Sequence, residues 1–186
     1  MLIEVTSKNV GIIPVMPFGS PVNIEDYLNW DCVVIDAAAS LGSTLENVEK
    51  LKPDHFIVYS LHATKVLGAG EGSIVVCGSE DNAKKLCAWA NFGFTETRNS
   101  NFLATNAKMS EIPAAYALAA LDQKDVEQAE WTKVLNFKEK RLREMGMLNI
   151  WDLYPGFRPY WIFQIQDHTK NLIENLNRNQ IGNRTW

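Results

Sequence analysis

Over the first two thirds of the chain, short uninterrupted apolar runs alternate with segments whose apolar residues recur at helical spacing. Gly11 to Met16 ("GIIPVM") reads as a strand, closed by the turn residues Pro17, Gly19 and Pro21. "NIEDYLNW" follows, with Asn23 as N-cap and acidic residues in the first turn, the charge sign that a helix N-terminus favours. "CVVIDAAA" is apolar without alternation and ends in a carboxylate, Asp36, as a buried strand of a parallel sheet would. "TLENVEKL" predicts a short helix closed by Pro53, "HFIVYS" a second buried strand and "SIVVCG" a third. "SEDNAKKLCAWANFG" predicts a helix with Ser79 or Asp81 at its start and Gly93 past its end. Alternation of this kind is the pattern of an α/β sheet with helical cover.

The texture then changes. "NSNFLATNAKM" is polar and irregular. From about Ser110 to Met145, Ala115, Leu118, Leu121, Val126, Val134, Leu135 and Leu142 keep a rough helical period, with a break expected between Asp122 and Asp125. After Gly146, "IWDLYPGFRPYWIFQIQD" alternates as an antiparallel strand pair around Pro155-Gly156 would, and "HTKNLIENLNRNQIG" predicts a further amphipathic helix. The change places a domain boundary near residue 130, dividing the chain into 1–130 and 131–186.

The 186 residues are 46% apolar and 22% charged, enough to bury a core. A net charge of −4 and pI near 5.4 supply no electrostatic pull toward nucleic acid or an anionic membrane. No apolar run approaches the roughly 18 residues of a membrane span, and the N-terminus lacks a basic segment followed by an apolar one. The expectation is a soluble cytoplasmic protein. Cys32, Cys77 and Cys87 are odd in number and far apart, so they are expected to be buried free thiols. The three histidines lack metal-ligand spacing, and no metal is expected.

Residues 60–73, "SLHATKVLGAGEGS", carry the candidate chemistry. The glycines are not a dinucleotide fingerprint, because they lead into the β-branched run Ile74-Val75-Val76 and not into a helix. They do not form a P-loop either, since Lys65 precedes them. Taken alone, the stretch reads equally well as a glycine-rich hairpin. Most lysines are solvated, but Lys65 has Ala63, Val66 and Leu67 as neighbours and follows a buried strand closely. Desolvation there would lower its pKa and free the amine as a nucleophile, at the strand ends where α/β sheets bind ligands. Asp36 ends the preceding strand; a helix-capping or ion-paired role is the plainer reading of it. Together with the hydroxyls of Ser60 and Thr64, the two match what pyridoxal 5'-phosphate (PLP) requires. The lysine forms the Schiff base, the aspartate holds the pyridinium proton, and hydroxyls and backbone N–H groups take the phosphate.

"VVIDAAASLGS", "YSLHATKVLGAGEGSIVV" and "ATNAKMSEIPAAYALAALDQ" resemble three consecutive blocks of the DegT/DnrJ-type nucleotide-sugar aminotransferases, over residues 10–145. The resemblance implies a partial fold-type-I PLP-dependent transferase: an aspartate aminotransferase-like α/β large domain, with the start of an α+β C-terminal domain. It implies transfer of an amino group, usually from glutamate, to a keto-sugar nucleotide. Residue by residue, it implies that Lys65 binds the cofactor covalently, Asp36 pairs with the pyridine nitrogen and Ser60 bonds the phosphate. Asn106 would reach the phosphate of the other subunit of a homodimer, His62 would lie near the substrate side, and Glu71 would shape the turn. For His62 a structural role, and for Asn106 a helix-entry role, remain open. Ala39 stands where the family usually has glutamine or histidine against the ring. The family's N-terminal phosphate loop and the end of its small domain have no counterpart, so the chain is expected to be truncated and to transaminate poorly or not at all. The alternative is an inactive fragment or scaffold that keeps the fold, with or without the cofactor. Related dehydratases carry histidine in place of the lysine and fit less well.

Overall fold

A computed structural model describes residues 10–43, 45–144 and 169–181. Strands β1 (Gly11–Ile12), β2 (Cys32–Asp36) and β3 (His55–Ser60) run parallel, and β4 (Ser73–Cys77) returns antiparallel to β3, in the sheet order β1-β2-β3-β4. The expected first strand is thus short, extended only by an isolated parallel bridge between Val15 and Asp36.

The pleat divides the strands into two faces. On β2, Val33 and Ile35 are sealed while Val34 and Asp36 are half-buried; on β3, His55 and Ile57 are sealed while Phe56 and Val58 are half-buried. Met16, Ile24, Val33, Ile35, Ala37 and Ile57 form the core on the sealed face. His55 joins them because its Nε2 pairs with the Trp30 carbonyl at 2.9 Å, so its burial leaves that nitrogen satisfied.

The crossovers that cover this face are tighter than α-helices. Asn23 does cap its segment, its side chain accepting from the Glu25 N–H at 3.2 Å, but the segment makes one 3-10 turn, Ile24–Tyr27, before the chain enters β2. Before β3, Val48–Lys50 alone is helical among the described residues, because Asn47 sits at φ 62 and blocks an earlier start. Helix α1 (Glu80–Ala90) is capped by Ser79, which accepts from the Asn82 N–H at 3.3 Å, and Gly93, φ 77, lies past its end as expected. The long helical pattern divides at Gln123 into α2 (Glu111–Asp122) and α3 (Lys124–Glu144), within the expected interval. Residue 130 lies inside α3, and α4 spans Thr169–Arg178. The expected aromatic strand pair lies outside the described residues.

The cysteines are free, but their expected burial is corrected: Cys32 and Cys87 are exposed and Cys77 is half-buried. Cys32 opens β2 on the outward side of the pleat, and Cys87 occupies an exposed position of α1. Among the described residues, no helix is long and apolar enough to cross a membrane, and no three His, Cys, Asp or Glu side chains gather as a metal site would need.

Candidate active site

Because β1, β2 and β3 are parallel, their carboxyl ends share one edge of the sheet, the edge where open α/β sheets bind ligands. Asp36 closes β2 there, opposite Val58 of β3. Its backbone is pinned on both sides: its N–H donates to Pro14 O at 2.8 Å, its carbonyl accepts from Met16 at 2.8 Å, and the next N–H, from Ala37, reaches Val58 O at 2.9 Å. With the main chain fixed, the pleat sends Ala37 into the core and the Asp36 side chain to the opposite face. Ser60, two residues beyond Val58, shares that face. Asp36 Oδ1 accepts from the Ala38 N–H at 3.0 Å, while Oδ2 has no hydrogen bond among the described residues. A half-buried carboxylate oxygen in that state can take up a donor.

Lys65 does not stand on a strand. It sits in the connection between β3 and β4, residues 61–72, so the hairpin reading of this stretch holds, with the lysine carried on its loop. Two successive turns carry it: the Lys65 N–H donates to His62 O at 2.9 Å, and Lys65 O accepts from Gly68 at 3.1 Å. Leu61 N–H to Gly72 O (2.9 Å), Ala63 N–H to Gly70 O (2.8 Å) and Ala69 N–H to Leu61 O (2.8 Å) tie the loop to itself. Leu61 and Leu67, 1% and 2% exposed, anchor it. Lys65 itself is half-buried, not dry as expected, because its turns stand off the strand end. Its amine has no hydrogen bond or ion pair among the described residues.

His62 and Thr64 lie on the same loop. His62 Nδ1 is 2.9 Å from Thr64 Oγ1 and 3.2 Å from the Thr64 amide nitrogen, and its Nε2 is 3.7 Å from Glu71 Oε1. Glu71 faces His62 because the pairs Leu61–Gly72 and Ala63–Gly70 set residues 62 and 71 across the loop. That partnership was implicit in the hairpin pattern, but not in the motif. Ser60 Oγ accepts from the His62 N–H at 3.2 Å, which leaves the hydroxyl proton able to donate elsewhere.

Asn106 comes from a separate segment clipped to the end of α1. Phe92 N–H to Thr105 O (2.9 Å), Thr105 N–H to Trp89 O (3.0 Å) and Ala107 N–H to Ala90 O (2.9 Å) hold it. The same segment passes the lysine loop, since a Cβ on Gly72 would lie 2.5 Å from Met109 Cε. No hydrogen bond links Asn106 to Asp36, Ser60 or Lys65 within this chain, and its exposed side chain has no partner among the described residues. Sequence reasoning also passed over Ser40, four residues beyond Asp36, whose buried hydroxyl has no hydrogen-bond partner among the described residues.

PLP asks for an amine to bond its aldehyde carbon, a carboxylate for its ring nitrogen and a donor for its phosphate. Among the described residues Lys65 Nζ and Asp36 Oδ2 have no partner, and Ser60 Oγ accepts one bond while its proton stays able to donate, so the donor set fits.

Known proteins point the same way. The chain is 33% identical over 127 residues to the dTDP-4-amino-4,6-dideoxy-D-glucose transaminase of Shigella dysenteriae, covering 65% of this chain and 34% of that one. It is 25% identical over 149 residues to the GDP-perosamine synthase of Caulobacter vibrioides, covering 76% and 40%. Among solved structures, a PLP-dependent aminotransferase from Bacillus cereus superposes with TM-score 0.79 at 26% identity, over 90% of this chain and 49% of that one. DesI, solved in the presence of its TDP-sugar product, superposes with TM-score 0.75 at 27% identity, over 94% and 48%. The chain therefore spans about half the length of these solved relatives and a smaller share of the curated ones. The fold is that of a partial fold-type-I domain. With the family's sequence profile matching residues 3–186, the chain belongs to the DegT/DnrJ/EryC1/StrS aminotransferase family.

Proposed function

We propose that this chain belongs to a PLP-dependent enzyme that moves an amino group from an amino acid, with glutamate as donor, to the keto group of a nucleotide-linked sugar. The observation that carries the reading is the shared edge: Asp36 and Ser60 on one sheet face, with the self-tied Lys65 loop leaving the same strand end. The sugar-nucleotide part is supported by the names of the relatives in Shigella and Caulobacter.

In this reading Lys65 Nζ would hold the cofactor through its aldehyde carbon and, when free, would serve as the base and acid that moves the substrate proton. Asp36 Oδ2 keeps the ring nitrogen protonated, which a charge-assisted bond from a half-buried carboxylate does well. When bound, PLP supplies the electron sink that weakens the bond to the migrating proton. Ser60 Oγ donates to the phosphate from the same sheet face. Asn106 reaches the phosphate site of a second copy in a homodimer, and His62 borders the substrate. Residues 1–130 form the large domain and 131–186 begin the small one. We place the protein in the cytoplasm, a setting that suits three free cysteines.

The test is to add PLP, reduce with borohydride and map the labelled peptide. The expected label sits on the peptide containing Lys65 and disappears in Lys65→Ala. Label spread over surface lysines and undiminished in that variant overturns the reading. A second reading, a cofactor-binding scaffold without turnover, is favoured by Ala39, whose methyl group offers nothing to orient a ring. Steady-state assay with glutamate and a panel of keto-sugar nucleotides separates the two.

A further inference from the structure

We propose that His62 is a positioning residue: its imidazole caps the turn that presents Lys65 and does not itself carry a proton in the reaction. The inference rests on the reading of Lys65 as the cofactor-binding amine.

The backbone N–H of Thr64 can only donate, so at 3.2 Å from Nδ1 it fixes that nitrogen as an acceptor. Thr64 Oγ1, 2.9 Å from the same nitrogen, then donates to it as well. The ring proton accordingly sits on Nε2, facing Glu71. An imidazole nitrogen accepting from the N–H two residues on does what an aspartate or asparagine oxygen does in an Asx-turn. The cap is one step of a continuous series. Ser60 Oγ accepts from the His62 N–H (3.2 Å), His62 Nδ1 from the Thr64 N–H, and His62 O from the Lys65 N–H (2.9 Å). Side chains of alternate residues thus hold the main chain from the last residue of β3 to the lysine.

Magnitudes decide which half of the ring matters. The 3.7 Å from Nε2 to Glu71 exceeds hydrogen-bond distance, and the two side chains are 46% and 83% exposed. The Nδ1 side therefore dominates, and Glu71→Gln is expected to change little.

The variants that separate the roles are His62→Asn, which restores an acceptor near Nδ1, and His62→Ala, which removes it. The first readout is hydrogen exchange at the Thr64 amide in cofactor-free protein. His62→Ala should lose about 2- to 12-fold of its protection, the worth of one ordinary hydrogen bond, while His62→Asn keeps most of it. The second is the rate at which PLP becomes borohydride-fixed on Lys65, which should fall in His62→Ala and recover in His62→Asn. Equal protection in all three proteins, or fixation slowed equally by both substitutions, overturns the proposal. Absence of Lys65 labelling in the parent protein sinks the activity reading instead, and the exchange measurement still judges the cap. His62 is exposed, so neither variant threatens the core.

Discussion

Gly68→Ala adds one methyl group to the loop that carries Lys65. Built on the existing backbone, that Cβ lies 2.7 Å from His62 O, 2.9 Å from Ala63 O and 3.0 Å from Ala63 C. All three are main-chain atoms, and ordinary contact begins near 3.4 Å, so the closest must move by about 0.7 Å. The His62–Ala63 peptide has little freedom to do so. His62 O holds the Lys65 N–H, and Ala63 N–H holds Gly70 O at 2.8 Å. Overpacking of this kind costs about 1–3 kcal/mol. The lower backbone entropy of alanine in the unfolded chain offsets about 0.4–1 kcal/mol of that. The net expectation is a loss of about 1–2 kcal/mol, read as a lower urea midpoint at unchanged slope. Lys65 should suffer more than the fold does. A misplacement near 1 Å can cost about 10²-fold, so borohydride-fixed PLP on Lys65 should form roughly tenfold more slowly. Gly70→Ala is the control. Its Cβ meets nothing within 4 Å, and its cost comes only from holding alanine at φ 94. A Gly68→Ala protein with parental midpoint and parental labelling rate would show that the loop yields freely and that its hydrogen bonds do not fix the lysine.

Asp36→Asn should weaken PLP binding by about 1.5–3 kcal/mol, measured by cofactor titration, because the charge opposite the ring nitrogen is lost. Its urea midpoint should hardly change, since the asparagine oxygen still caps Ala38; equal cofactor affinity would refute the pairing. Ser40→Ala should leave the urea midpoint unchanged or raise it, because the buried hydroxyl has no partner among the described residues to lose. A clear loss of stability would reveal one. Burial pushes the Tyr59 hydroxyl above its ordinary value near 10, as burial and then Asp26 do for Tyr27. Above about pH 10 the unfolded chain releases protons that the native phenols keep. Their contribution is therefore full below that pH and lost as pH rises toward the folded values, which urea midpoints on either side of it would show. Sedimentation at micromolar concentration should find self-association, and a monomer alone would remove Asn106 from the site.

The strands were legible because apolar runs bounded by turn residues leave few other readings: "HFIVYS" is β3 residue for residue, and "SIVVCG" overruns β4 by Gly78 alone. The break near Gln123 was visible as a polar interruption of the helical period. The short crossover elements were less legible. "TLENVEKL" has helical spacing, but Asn47 in the left-handed region confines it to one turn. Cysteine burial misled because an apolar neighbourhood in sequence does not say which side of a pleat or helix a residue occupies. Asp36, Ser60 and Lys65 were proposed from their residue types, their order and the family resemblance. What the sequence could not supply was the bonding inside the lysine loop, where residues 62 and 71 meet only because the chain doubles back.

That doubling back fixes a length. β3 and β4 pair from Phe56↔Cys77 to Ser60↔Ser73, and Leu61–Gly72 and Ala63–Gly70 carry the ladder into the loop. One residue added between 61 and 72 either breaks those rungs or slips β4 by one place, turning Val76 out of the core and Val75 into it. The crossover from β2 to β3 has no strand ladder to keep in register, but Ala37, Leu45, Val48 and Leu51 pack on the core, so only its exposed positions escape the rule, where extra length costs little. Insertion mutagenesis should therefore divide the chain into tolerant and intolerant stretches, with the exposed turn at Glu49-Lys50 accepting extra length and residues 61–72 refusing it. A reporter peptide or protease site belongs in the first stretch, and the second has to be transplanted whole.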